Sequence, residues 1–250
     1  MRKLLIATLL LALAGCSPTP TTPPALAPLP APATTLATTT PQLRADKYSA
    51  DRHPRILANV RQGGHEICFL GASIIERWET VGKDDWNAVW LPRHAVDCGI
   101  SGDRTQHVLA RFDDGLLDSL AAPNNHIKWI VINIGSNNLE PDTPADIAAG
   151  IEAILARLTQ KLPDARIALS AVFPRGQHPN PLRDKAAQTN ALLTAYLATN
   201  DPSHRVHFFD VGHLFLTPEG DIPADLMPDF LHPSVRGYQL WSAELEKIVR

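Results

Sequence analysis

Trp129-Ile130-Val131-Ile132-Asn133-Ile134-Gly135-Ser136-Asn137-Asn138 opens with a run in which nearly every side chain is apolar. A strand that is apolar at successive positions leaves no face for water, so it belongs in a sheet covered on both sides. Gly135 ends the run, and the polar residues after it read as a turn. Downstream, Thr143 and Pro144 make a helix start, and Ile147, Ile151, Ile154, Leu155, Leu158 and Leu162 form one apolar stripe.

The same alternation continues in both directions. Upstream, residues 51–62 read as a helix closed by Gly63-Gly64, 66–70 as a strand, 74–79 as a short helix, 95–98 as a strand and 105–112 as a helix. Downstream, 166–173 and 206–210 read as strands around a helix at 184–198. A last helix buries Tyr238, Trp241, Leu245 and Ile248. Strands separated by helices predict an α/β fold with a mostly parallel sheet covered on both faces. Ligands in such folds bind beyond the carboxyl ends of the strands.

The bulk composition narrows the partners. The chain has 250 residues, 44% hydrophobic and 20% charged, with a formal net charge of -3, enough for one domain with a substantial core. No basic surplus points to nucleic acid, so none is expected as a partner. No run of about 20 apolar residues offers a membrane-spanning helix. Oligomeric state is not legible.

The N-terminus reads as an address rather than as fold. Arg2 and Lys3 precede an apolar run, giving a signal peptide over residues 1–15. Leu13-Ala14-Gly15-Cys16 resembles the lipobox of bacterial lipoproteins, which implies cleavage before Cys16 and lipidation of its thiol. Several acyl chains on one residue anchor a chain far better than a single one. Ser17 favours, by the same resemblance, the outer membrane of a bacterial cell envelope. An ordinary secreted chain with a cysteine in its signal is the alternative. Residues 17–41 hold eight prolines among Thr, Ala, Ser and Leu, so residues 16–41 are expected to be an extended tether and 42–250 the globular domain. Cys68 and Cys98 lie in apolar strand runs, where cysteine is ordinarily a small core residue; pairing stays open, and their spacing fits no metal site.

Four polar stretches fall just after strands. In Phe69-Leu70-Gly71-Ala72-Ser73-Ile74, a serine sits at a strand-to-helix turn, where its hydroxyl and N–H would face a substrate. In Cys98-Gly99-Ile100-Ser101-Gly102-Asp103, glycines let backbone N–H groups approach a ligand. Asn137, after Gly135, offers a side-chain amide to an oxyanion. Asp229-Phe230-Leu231-His232 places a carboxylate where it can orient an imidazole. Each alone is ordinary: a helix cap, half a phosphate loop, a turn residue, a common pair.

In this order they resemble the SGNH (GDSL-like) hydrolase family, and within it the catalytic subunits of platelet-activating-factor acetylhydrolase. Residues 99–111 (GISGDRTQHVLAR) and 174–183 (PRGQHPNPLR) carry much of that likeness. The resemblance implies a flavodoxin-like three-layer α/β/α sandwich with a five-stranded sheet. It implies Ser73 as nucleophile, His232 as general base and acid, and Asp229 as its orienter. The oxyanion hole would comprise the N–H groups of Ser73 and Gly102 and the amide of Asn137. Ile74 and Leu231 would shorten the acyl pocket, favouring acetyl. No cofactor and no metal is implied. One position departs from the family: Ala72 stands where its motif has Asp. The expected function is a serine esterase acting on small acyl esters, with O-acetylated glycans as candidates. Lysophospholipase or thioesterase activity is an alternative, as is a catalytically weakened lipoprotein that binds acylated glycans. Trp78, Trp86 and Trp90 could line a sugar or lipid site, although core packing is the plainer reading.

Overall fold

The computed structural model describes residues 28–31 and 36–250; the expected signal peptide, Cys16 and the first part of the expected tether lie outside the described residues. Strands β1 (Ile67–Gly71), β2 (Ala95–Gly99), β3 (Trp129–Asn133), β4 (Arg166–Ser170) and β5 (Val206–Phe209) form one sheet in the order β2-β1-β3-β4-β5. Every pairing is parallel. The helices are α1 (Lys47–Gln62), α2 (Ser73–Glu76), α3 (Lys83–Asp85), α4 (Thr105–Asp113), α5 (Leu116–Leu120), α6 (Pro144–Lys161), α7 (Pro181–Asn200) and α8 (Val235–Ile248).

Alternation along the strands builds the layers. Cys68 and Leu70 of β1 and Ile130 and Ile132 of β3 face an apolar cluster that includes residues of α1, α4, α6 and α7. Ile67 and Phe69 of β1 and Trp129 and Val131 of β3 face a second cluster with Trp78, Trp86, Trp90 and residues of α8. This is the expected three-layer α/β/α fold. The three tryptophans belong to its core: the Phe69 ring lies 5.1 Å from both Trp86 and Trp90, and Trp78 lies 4.6 Å from Tyr238. Cys68 and Cys98 are buried free thiols on adjacent strands.

At the start of two helices the boundary differs from the sequence reading, and a cap explains each. Helix α1 begins at Lys47 rather than 51 because the Asp46 carboxylate accepts from the Ser49 N–H at 3.0 Å. Helix α7 begins at Pro181 rather than 184 because Asn180 caps it, accepting from the Leu182 N–H at 3.0 Å. Thr143 caps α6, as the sequence suggested, and the structure adds Asp146 as its reciprocal partner.

The larger difference concerns the expected tether, whose described parts lie against the domain. Leu29 is 5% exposed, and its N–H donates to Thr159 Oγ1 at 2.9 Å. Thr38 is 1% exposed; its hydroxyl donates to the Asp146 carbonyl at 2.7 Å, and its own carbonyl accepts from the Thr105 hydroxyl at 3.0 Å. A chain of Pro and Thr brings few N–H groups to satisfy and many hydroxyls to bond with, so it can lie on helices without a strand partner. Among the described residues, no helix is long and apolar enough to cross a membrane.

Candidate active site

The strand ends set the site. Gly71 of β1 is level with Gly99 of β2 on one side and with Asn133 of β3 on the other, so Ser73, Gly102 and Asn137 all lie just beyond one edge of the sheet. Close packing there requires glycine. A Cβ on Gly99 would fall 2.5 Å from the Glu76 N and 2.8 Å from the Ala72 carbonyl oxygen, because the start of α2 rests on the end of β2.

The base arrives from the other end of the chain. After β5 an irregular segment returns to the same edge and enters α8, which Ser234 caps by accepting from the Gly237 N–H at 3.2 Å. The buried Tyr238 of α8 donates its hydroxyl to the Ile74 carbonyl at 2.8 Å, joining this segment to α2. Phe230 has a left-handed backbone, φ 55°, uncommon for a bulky residue. That bend is held by its N–H donating to the Met227 carbonyl at 2.9 Å and its carbonyl accepting from the Gly176 N–H at 2.7 Å. The 174–183 stretch therefore supports the histidine segment.

The turn folds Asp229 back on its neighbours. Asp229 Oδ1 accepts from the Leu231 N–H at 3.2 Å and the His232 N–H at 2.8 Å. Asp229 Oδ2 lies 2.7 Å from His232 Nδ1, and His232 Nε2 lies 2.8 Å from Ser73 Oγ. With Nδ1–H donating to the carboxylate, Nε2 is left to accept from the serine hydroxyl. The hydroxyl, remote in the chain, thus joins the neighbouring imidazole and carboxylate in one hydrogen-bonded line.

Electrostatics keep that line in its proton-accepting form. Burial lowers the His232 pKa from the ordinary imidazole value; the Arg77 and Arg175 guanidiniums act in the same direction, and Asp229 opposes them. Burial works to raise Asp229, but the bonds from the His232 N–H and ring outweigh it, and the carboxyl lies below its usual range. Arg77 Nη1 stands 3.6 Å from Asp229 Oδ2.

The expected oxyanion donors differ in how they are held. Neither the Ser73 nor the Gly102 N–H donates to a protein acceptor among the described residues. Asn137 donates from Nδ2 to the Asp103 carbonyl at 2.9 Å, which ties the β3 loop to the β2 loop. Of the two expected acyl-pocket residues, Leu231 lines an open cleft of about 550 Å³ beside Asp229 and Phe230. Ile74, next to Ser73 in the chain, is 3% exposed and belongs to the apolar core.

Three residues at this edge were absent from the sequence reading: Arg77, Glu76 and Arg44. Glu76 Oε2 accepts from the Ser101 N–H at 2.5 Å. Asp103 and Arg111, both buried, stand 2.9 Å apart, and Arg111 Nη1 donates to the Cys98 carbonyl at 2.8 Å. Asp103, Arg111 and Arg175 had a sequence signal, since they lie inside the GISGDRTQHVLAR and PRGQHPNPLR stretches. Among the described residues, no group of His, Cys, Asp and Glu is arranged to hold a metal ion.

Comparison with known proteins agrees with the geometry. The model of the GDSL-like lipase/acylhydrolase family matches residues 69–240. Platelet-activating factor acetylhydrolase IB subunit alpha1 of Homo sapiens is 36% identical over 186 residues, covering 74% of this chain and 76% of its own. Among solved structures, a GDSL-like lipase from Bacteroides thetaiotaomicron superposes with a TM-score of 0.61 at 18% identity, covering 78% of this chain and 95% of its own. An acetyl-xylooligosaccharide esterase from Geobacillus gives 0.56 at 19% identity, covering 74% and 94%. At those identities the two structures speak for the fold alone.

Proposed function

This chain belongs to the GDSL-like lipase/acylhydrolase family and is a hydrolase of ester bonds, and from that premise we propose that it is a serine esterase releasing small acyl groups, acetyl first, from O-acylated glycans. The observation that carries the reading is the unbroken line Ser73 Oγ to His232 Nε2 at 2.8 Å and His232 Nδ1 to Asp229 Oδ2 at 2.7 Å.

Ser73 Oγ attacks the ester carbonyl carbon while His232 Nε2 takes its proton, and Asp229 stabilises the imidazolium. The carbonyl oxygen becomes an oxyanion facing the N–H groups of Ser73 and Gly102 and the amide of Asn137. Collapse breaks the bond to the alkoxy oxygen, which leaves with the proton from His232. Water then adds to the acyl-enzyme, His232 accepts its proton and returns it to Ser73 Oγ, and the carboxylic acid departs.

Substrate size is inferred from Leu231 and Ile74, the two positions to which the family resemblance gives the acyl pocket; Leu231 lines the cleft, whereas Ile74 is buried in the core. Support for a glycan as the alcohol comes from the esterase among the fold neighbours, which acts on an acetylated xylooligosaccharide; the open cleft adjoins Asp229 and is not lined by Ser73. The likeness of residues 13–16 to a lipobox supports a lipid anchor on Cys16, and Ser17 supports the bacterial outer membrane as its place. A Cys16→Ser chain is expected to leave the membrane fraction, and its retention there would overturn the anchor.

The test compares the full-length chain with Ser73→Ala on p-nitrophenyl acetate, butyrate and octanoate, and then on acetylated xylan. Loss of about 10⁴-fold or more in kcat in the variant is expected, with acetate the best ester. Equal traces in both chains would make the protein a binder of acylated ligands. A preference for octanoate would overturn the short acyl pocket.

A further inference from the structure

We infer that Arg44, from the segment preceding the sheet, is a positioning residue that aims and polarises the Gly102 N–H of the oxyanion site; the inference rests on the esterase reading above. The argument begins with one peptide unit. The Ser101 carbonyl and the Gly102 N–H share a planar trans amide, so they point in opposite directions. Arg44 Nη1 donates to that carbonyl oxygen at 2.5 Å. Fixing where the oxygen points fixes where the N–H points. A cationic donor on the oxygen also draws electron density through the amide, which strengthens the N–H as a donor.

The grip extends to both neighbours of Gly102. Arg44 Nη1 stands 3.3 Å from Asp103 Oδ1, and the Ser101 N–H is held at 2.5 Å by Glu76 Oε2. Gly102 itself has φ 86°, and a Cβ there would lie 2.9 Å from Arg44 Nη1. The guanidinium therefore fills the space that a side chain at this position would need.

Arg44 is in turn held from both ends. Its side chain is 19% exposed, and Nε donates to Asp46 Oδ2 at 2.8 Å, the same carboxylate that caps α1. On the inner side, Asp103 Oδ2 lies 2.9 Å from Arg111 Nε. Asp46, Arg44, Asp103 and Arg111 form a line of alternating charge from the preceding segment to the end of β2. A planar fork can serve Asp46, Ser101 and Asp103 together, whereas an ammonium point charge cannot reproduce that geometry.

The test uses the full-length chain with Arg44→Ala, Arg44→Lys and Ser73→Ala, measuring kcat, KM, melting temperature and the pH profile on p-nitrophenyl acetate. Arg44→Ala is expected to lower kcat by about tenfold or more and Arg44→Lys by less, with KM within about twofold. The acid limb of the profile should stay in place, because His232 is untouched. Millimolar guanidinium should restore part of the kcat of Arg44→Ala and leave the wild type unchanged. Wild-type kcat in both Arg44 variants, with Ser73→Ala inactive, would overturn this inference alone. So would a loss that follows the melting temperature and that guanidinium does not restore. If Arg44→Ala does not fold, a kcat loss in folded Arg44→Lys sustains the inference and its absence overturns it. Wild-type activity in Ser73→Ala would instead overturn the esterase assignment.

Discussion

Ser73, Gly102 and Asn137 stand beyond three neighbouring strands, whereas Asp229 and His232 come from an irregular segment that follows β5. The first group is held by contacts between residues far apart in the chain: Arg44 to Ser101, Glu76 to Ser101 and Asn137 to Asp103. The second is held largely within its own turn, with the Asp229 carboxylate bonded to Leu231 and His232 around a left-handed Phe230 that the Gly176 N–H supports from outside. Donors that must meet a developing charge are fixed by the fold, while the proton carrier is fixed by one turn. Damage to the turn should therefore cost rate with little stability, and damage to the strand-end side should cost both.

The sharpest way to break that contrast is Asp229→Asn. Its carboxylate is half exposed, so little burial is at stake, but the imidazole loses the partner that fixes its tautomer. A fall in kcat of about 10³-fold or more is expected, with a melting temperature close to wild type. A large loss of stability would show that the turn is part of the structural frame after all.

Asn137→Ala probes the other side. The expected fall in kcat is smaller, about 10²-fold. The Asp103 carbonyl also loses the amide that donates to it, which costs about 1 kcal/mol of stability. A melting curve at the wild-type temperature would break the claim that this side is tied into the fold.

A gentler probe is pH. The base must be neutral to accept the serine proton, and burial with Arg77 and Arg175 lowers the His232 pKa. Activity should rise with pH through a midpoint in kcat/KM below the ordinary imidazole value of about 6.5. Removing a nearby positive charge favours the protonated ring, so Arg77→Gln should move that midpoint upward. A midpoint that stays put, or falls, would show that Arg77 is screened from the ring.

The same contrast decides what the sequence could disclose. Continuous apolar runs located the five strands, because a strand covered on both faces is apolar at successive positions, and Ile130 and Ile132 facing one cluster while Trp129 and Val131 face the other show why. The turn at residues 229–232 was readable because its partners are neighbours in the chain. Arg44 was not, since nothing near it in sequence announces Ser101, 57 residues on and beyond two strands, or Asp103. The Pro- and Thr-rich stretch misled for a related reason. Its composition says only that it forms neither helix nor sheet, and the burial of Leu29 and Thr38 depends on α4, α6 and α7 being in place.

Ala72 offers the finest test, because the family motif has Asp there. Its backbone carbonyl accepts from the Ile75 N–H at 3.1 Å and the Glu76 N–H at 2.9 Å, so the start of α2 is formed without a side-chain cap. Glu76, one turn on, already supplies a carboxylate to the β2 loop through Ser101, and Arg44 holds the far side of the same residue. A second carboxylate at a position 8% exposed would share a turn with Glu76, and like charges so placed repel. Ala72→Asp should therefore change kcat by less than about threefold while lowering the melting temperature by about 2–4 °C. If kcat instead rises about tenfold or more, the strand-end side is under-braced as it stands, and the rigidity assigned to it here belongs to the family rather than to this chain.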